Sequence, residues 1–475
     1  MPRFVNILIA FAVIIGALFG VMLAAYVLAG FAEAYLLEYV GWHGGGHIVN
    51  MVVLMVTVVM VIATLLTLAE RKWSAFMQDR MGPNRARINL PIIRNSALGG
   101  LPHIATDVVK MLTKEAFRPA TANKFLFNLA PMLAFAPVFA LFAIVPAGPT
   151  IDFDAGLVKG VQKTVSVIMA PSNPDFGLLY MFAIASLAVY GTSLAGWSSN
   201  NKFALLGGVR AASQMISYEV ALGLSLVGMM MAFDTVRLAG VGGMAEMQSH
   251  YLWSVHIGTF DLGIPQWGFL LQPVGFVLFF AAAFAETKRA PFDSPEGESE
   301  IVGYFLEYSG MQFGMFMIAE FVEVVVLSGV LAAVFFGGWS LPFGQEWLAN
   351  QTFFIEHQYL LGAIYGTVFW IKVILLCYLQ LVMRWTFPRF RYDQIQSLGW
   401  KILLPAGLVN LFVTGALILL DPTLKYLALF GLLEIGVVAA VTLTSPKQVR
   451  DHEEHHGHAH DAHGHAPAVL PANTH

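Results

Sequence analysis

Long, unbroken apolar runs set the character of this chain. Ten of them are long enough, or nearly so, to cross a bilayer as helices: about 5–31, 48–69, 124–146, 177–197, 212–233, 268–285, 313–336, 359–383, 402–420 and 424–443. Barrel strands would alternate over about ten residues, so continuous runs predict helices. The 268–285 run is the shortest. The first run has a core too long for a signal peptide and no small-residue cleavage site, so it reads as a helix. The predicted fold is an all-α polytopic membrane protein with about ten transmembrane helices.

One further pattern differs in kind. Between residues 98 and 114, Leu101, Ile104, Val108, Met111 and Leu112 recur at helical spacing, with Asp107, Lys110 and Lys114 opposite and Gly99-Gly100 before them. This predicts an amphipathic helix lying in the membrane interface, as a docking element or as part of a portal. The loops at 32–47, 147–176, 234–267 and 337–358 hold Gly, Pro and Asp and little chemistry.

Composition agrees: 57% of residues are hydrophobic and 12% charged, and mean hydropathy is +0.69. Of 26 Lys and Arg, 21 fall at alternate ends of the predicted helices, and Lys159, Lys163 and Arg237 at the others. By the positive-inside rule both termini are cytoplasmic. The lone Cys377 can form no disulfide within the chain and hold no iron–sulfur cluster. No dinucleotide fingerprint or Walker A sequence is present. No cofactor and no nucleic acid is expected on this chain, so electrons in any redox reaction come from a partner. The tail after Pro446 carries eight of the fourteen histidines and reads as a disordered extension rather than a metal site.

The charges left inside the apolar pattern are the candidates for chemistry. Ionisable groups at membrane depth are costly and are functional candidates by default. The segment Pro291 to Gly310, PFDSPEGESEIVGYFLEYSG, sets Asp293, Glu296, Glu298, Glu300 and Glu307 between two apolar runs, and is entered through Glu286, Lys288 and Arg289. Glu219 reads as lying about two turns into the fifth helix, after a short hairpin over 196–211, with Tyr218 beside it. Glu320 and Glu323 are three apart and share a helical face. Lys372 is a possible counter-charge. Together these suggest a polar path. Glu70, Arg71 and Lys72, followed by Gln78 and Arg80, close the second helix; as orientation charges they would be unremarkable.

Four segments together resemble the H-subunit (chain 1) family of NADH:quinone oxidoreductase, respiratory complex I. They are ERKWSAFMQDRMGPNR, GWSSNNKFALLGGVRAASQMISYEV, AETKRAPFDSPEGESEIVGYFLEYSG and FPRFRYDQIQSLGWKILLP; DVVKMLTKEAFRP is similar too. The resemblance covers about residues 50–420. It implies a quinone chamber where the peripheral redox arm docks, lined or supported by Arg71, Gln78, Arg80, Arg289 and Asp293. It implies a proton path through Asp107, Glu219, Glu286 and Glu320, with Tyr218 beside it, and a coupling loop holding Glu296, Glu298 and Glu300. Quinone would be the substrate, and FMN and iron–sulfur clusters would sit in partner subunits. The partners would be the peripheral quinone-site and iron–sulfur subunits, the antiporter-like membrane subunits and membrane lipid, in a bacterial cell inner membrane.

On this reading 1–47 holds an extra N-terminal helix and outer loop, 48–420 the H-subunit-like domain, 421–445 an extra C-terminal helix and 446–475 the tail. The stretch Glu300–Glu307 is one residue shorter than the family spacing, so Glu307 takes no role. The rivals are the membrane subunit of an energy-converting hydrogenase and a stand-alone ion transporter. The strength of the Glu70–Arg85 and Pro291–Gly310 matches opposes the first. The lack of an internal repeat opposes the second.

Overall fold

Glycines at the first turn let the chain double back sharply. In a computed structural model, which describes residues 2–41, 44–87, 98–158, 161–257, 260–297 and 301–444, α1 runs over Pro2–Val40, beyond its predicted end. Gly41 and Gly44 take positive φ and return the chain into α2 (Gly45–Leu54). A π-turn at Met55–Val59 leads on into α3 (Met60–Met77). A Cβ on Gly45 would meet the Ala32 carbonyl oxygen at 2.8 Å, so only glycine admits this approach.

The amphipathic element is α4 (Pro102–Thr113), and its orientation corrects the expectation. His103, Ile104, Asp107 and Met111 turn inward, while Val108, Val109 and Leu112 face out. Asp107 decides this, because it pairs with Arg71 at 2.6 Å instead of facing water beside Lys110 and Lys114.

α5 (Lys124–Phe142) is capped by the Asn123 side chain, which accepts from the Phe125 and Leu126 N–H groups. Two strands follow, β1 (Ile151–Val158) and β2 (Val161–Val167), paired antiparallel, in a stretch expected to be a plain loop. α6 (Gly177–Ser198) and α7 (Lys202–Phe233) are joined by a tight turn, and the Asn201 side chain caps α7 at the Phe203 N–H. The expected hairpin over 196–211 is therefore mostly helix, and Glu219 lies mid-helix rather than two turns in. The polar residues that disguised this stretch have local work: Gln214, for example, is fully buried and hydrogen-bonded.

After α8 (Met244–Met247) a second hairpin, β3 (Tyr251–Ile257) with β4 (Phe260–Pro265), leads to α9 (Gly268–Leu271) and α10 (Pro273–Glu286). The predicted 268–285 helix is thus broken at Gln272, whose Nε2 donates to Thr414 Oγ1 at 2.7 Å. Pro273 has no N–H to give and starts a new helix. At 14 residues α10 is short for a span. Among the described residues, nine other helices are long and apolar enough to cross a membrane.

α11 (Gly310–Phe335) is the centre of the bundle, and every residue from Phe321 to Phe335 is buried. α12 (Gln345–Ala349), α13 (Thr352–Glu356), α14 (Gln358–Thr386) and α15 (Tyr392–Leu398) follow. A π-turn at Gly399–Leu403 joins α15 to α16 (Leu404–Leu420), and α17 covers Lys425–Thr444. The compact body ends at Leu432. In the second unit, from Leu433, the described residues up to Thr444 are helical, with Leu433, Val437 and Val441 exposed. The tail lies outside the described residues. Lys372 is not a counter-charge to Glu320 and Glu323. Its Nζ donates to the carbonyls of Phe336, Gly338 and Ser340 at 2.7, 2.9 and 2.7 Å, closing the far end of α11.

Candidate functional site

Where α10 ends, four consecutive side chains, Glu286, Thr287, Lys288 and Arg289, are buried. The turn that carries them is clamped from α7: Gln214 Nε2 donates to the carbonyls of Ala285 and Phe292, both at 2.7 Å. Lys288 takes a positive φ of 55°, which a lysine adopts only when its surroundings hold it there. Phe390 N–H donates to the Pro291 carbonyl at 3.0 Å and fixes the far side of the turn.

The cations around this turn are each matched with a carboxylate. Arg289 Nη1 donates to Glu70 Oε2 at 3.0 Å and lies over the Phe321 ring at 3.8 Å. The other Glu70 oxygen takes Arg384 at 2.7 Å. Lys288 Nζ stands 3.7 Å from Glu323 Oε2. Arg389 Nη2 holds Asp293 at 2.6 Å. Tyr304 O–H donates to Glu320 Oε1 at 3.0 Å.

The acids outnumber the bases here, and that imbalance controls protonation. Glu296 stands beside Glu320, and two neighbouring carboxylates disfavour a second negative charge. Burial, then the neighbouring Glu320 and Asp293, push the Glu296 carboxyl well above the carboxylate range. Burial alone would discharge Lys288. Glu323, Glu320, Glu296 and Glu286 outweigh it and hold the ammonium above its ordinary range. Tyr304 is likewise driven up by burial and by Glu320 and Glu296. The cluster can therefore store a proton on a carboxyl beside a fixed cation.

A cavity of about 240 Å³ opens on this cluster. Its polar wall includes Glu70, Arg71, Lys288, Arg289, Asp293, Glu296, Glu320 and Arg384, and its apolar wall Phe305, Phe313, Phe316, Met317 and Phe321. Glu70 and Arg71 also line a second recess of about 550 Å³ with Arg80, Arg85 and His103. One wall suits a polar ring and the other a hydrocarbon.

Of the residues singled out from sequence, Arg71, Arg289, Asp293, Glu296 and Glu320 meet at the first cavity, and Arg71 and Arg80 at the second. Gln78 accepts from Arg80 Nε at 2.7 Å and lines neither. Asp107 stands behind Arg71. Glu219 and Glu286 feel each other electrostatically across α7 and α10, and Glu286 also feels Glu323. Tyr218 points elsewhere: it donates to the Ile395 carbonyl at 2.9 Å and packs edge-on against Phe292. Glu298 and Glu300 lie outside the described residues. Sequence reasoning passed over Tyr304 and Arg384 and took Glu70 for an orientation charge. Only its place beside Arg71 hinted otherwise. The described residues hold no His, Cys, Asp and Glu cluster able to bind a metal.

Comparison with known proteins gives this geometry its context. The family described as NADH dehydrogenase matches residues 49–415. The first H subunit of the NADH-quinone oxidoreductase of Cytophaga hutchinsonii is 38% identical over 366 residues, 77% of this chain and 94% of that protein. The H subunit of Flavobacterium psychrophilum is 39% identical over 362 residues, 76% and 94% of the two chains. That of Paraburkholderia xenovorans is 38% identical over 378 residues, 79% and 92%. The match runs from within α2 to within α16, across the helices that build both cavities, and leaves all of α1 and all of α17 outside it. On family match, extent of identity and helical membrane fold alike, the chain belongs to the H-subunit family of NADH-quinone oxidoreductase.

Proposed function

We propose that this membrane protein forms the quinone-access chamber and the first part of a proton path. The observation that carries this reading is the 240 Å³ cavity, which sets a phenylalanine wall against Arg71, Arg289, Asp293, Glu296 and Glu320. A quinone headgroup is a flat ring with two carbonyl acceptors, which the guanidinium donors suit, and its tail suits the phenylalanines. The peripheral partner subunits, bearing FMN and iron–sulfur clusters, would deliver the electrons.

Reduction of the quinone consumes protons and changes charge at the cavity wall. Glu296, whose carboxyl holds its proton beyond the usual range, and Lys288, with its four carboxylates, are the groups that would respond. Glu320, Glu323, Glu286 and Glu219 then form a chain of acids leading away from the chamber, with the antiporter-like subunits as the receiving partners. The charged end of the bundle faces the cytoplasm of a bacterial inner membrane, with both termini on that side, as the lysine and arginine bias supports. Residues 48–420 form the H-subunit-like domain.

An azide-bearing quinone photolabel on the assembled complex tests the chamber. Labelling should fall on residues 70–71, 288–296 or 313–321 and be displaced by unlabelled quinone. Displaceable labelling confined to other helices would remove the chamber from this cavity.

A further inference from the structure

The helix that precedes the family match creates a feature of its own. Near the hairpin end, α1 lies tight on α14. There Met22 and Tyr26 sit against Gly366 and Gly362, where a Cβ on Gly362 would meet the Tyr26 ring at 2.8 Å. This Gly-x-x-x-Gly spacing is the small-residue pattern that lets membrane helices approach closely. Tyr26 O–H pins the contact by donating to the Pro149 carbonyl at 2.9 Å.

Toward the charged end the helices part. Between α1, α3 and α14 they leave a recess of about 340 Å³, lined from Ile14 to Val21, from Thr57 to Ala69 and from Ile374 to Leu381. It runs roughly 18 Å along α3, at the helical rise of about 1.5 Å per residue. Its lining is hydrocarbon throughout except Thr57, Tyr378 and Cys377. The Thr57 hydroxyl is spent on the Val53 carbonyl, and the Cys377 thiol donates to Ser328 Oγ.

The charged end of the recess is different. One turn beyond Ala69 on α3 comes Trp73, packed edge-on against Tyr378 of the recess wall with ring centroids 5.2 Å apart. The Trp73 indole N–H is buried and has no hydrogen-bond partner, which is unusual for a tryptophan. One turn beyond Leu381 on α14 comes Arg384. Glu70 is divided between Arg384 and Arg289, so one carboxylate serves two guanidiniums. A hydrocarbon slot little deeper than one leaflet, about 15 Å, thus ends in an unused N–H and a guanidinium that shares its carboxylate.

We infer that this recess binds one acyl chain of an anionic phospholipid, with its phosphate held at the Trp73–Arg384 end. The chemistry decides the occupant. Within a bilayer only hydrocarbon reaches an apolar slot, and a phosphate oxygen accepts from both an indole N–H and a guanidinium. The hydrocarbon slot shares no lining residue with the quinone chamber, whereas Arg384 at its charged end also lines the chamber wall. Its lining includes a helix outside the family match.

The test uses the assembled complex in nanodiscs with a diazirine-tailed phosphatidylglycerol, the adducts being located by peptide mass spectrometry. Labelling should concentrate on residues 14–21 and 374–381. It should fall at least fivefold when the slot is filled by Ala17→Phe with Val61→Phe. Unlabelled phosphatidylglycerol should compete and phosphatidylcholine should not. Equal labelling of the filled variant, or of every lipid-facing helix, would overturn the inference, as would equal competition by both lipids. So would displacement by quinone instead of lipid. If the filled variant fails to assemble, headgroup competition on the wild-type complex decides alone.

Discussion

Lys288 Nζ stands 3.7 Å from Glu323 Oε2, with both side chains less than one-tenth exposed. A lysine so deep in a helical bundle persists only because carboxylates surround it. The cost of drying both charges means that the pair is no simple source of stability.

Removing one partner of that pair should therefore be expensive. Lys288→Met is expected to destabilise the protein by about 3–5 kcal/mol, the usual result of leaving a buried charge uncompensated. Adding Glu323→Gln should recover part of the loss. Thermal unfolding of the detergent-solubilised complex checks both, and a double variant no better than the single would show that the two groups are not coupled.

Glu70 holds two guanidiniums at once, Arg289 at 3.0 Å and Arg384 at 2.7 Å. In Glu70→Gln both lose their counter-charge and the cavity wall shifts. The expected result is a rise of about tenfold in KM for quinone, equivalent to about 1.4 kcal/mol, with a smaller change in kcat. Steady-state kinetics with a short-chain quinone measures it, and an unchanged KM would remove Glu70 from the chamber wall.

Glu296 should leave a signature in pH. Its folded carboxyl titrates well above the ordinary value of 4.5. Above that value the unfolded chain releases a proton that the folded one keeps, so folding stability falls as pH rises from about 4.5 toward the folded pKa. Glu296→Gln abolishes this loss. The variant's melting temperature should gain on the wild type as pH rises through that window; parallel curves would show that Glu296 titrates normally.

Lys372 satisfies three carbonyls at the far end of α11. Lys372→Met leaves them without a donor and is expected to cost about 1–3 kcal/mol. NADH:quinone turnover should stay near wild type, because the residue is remote from the acid cluster. Loss of turnover with stability intact would return Lys372 to the proton path.

The helices were legible because a bilayer needs about 20 apolar residues per crossing, a demand written along the chain itself. The acid-rich Pro291–Gly310 loop and the Glu320–Glu323 spacing were legible for the same reason, since charges stand out against hydrocarbon. The interruption at Gln272 was not, because the break depends on Thr414, 142 residues away. Nor were the two hairpins, whose pairing is a contact between segments rather than a property of either.

Arg289 and Glu70 lie 219 positions apart, and Lys288 and Glu323 sit on different elements. No periodicity relates them. The depth and rotation of packed helices decide which acid meets which base, just as the Arg71–Asp107 pair decides which face of α4 turns inward. Sequence determined that this chain spans a membrane, which way its charges are biased and which acids it keeps in the bilayer. The tertiary structure alone decided how those acids are paired, because side-chain electrostatics depend on distances of a few ångströms that only packing sets.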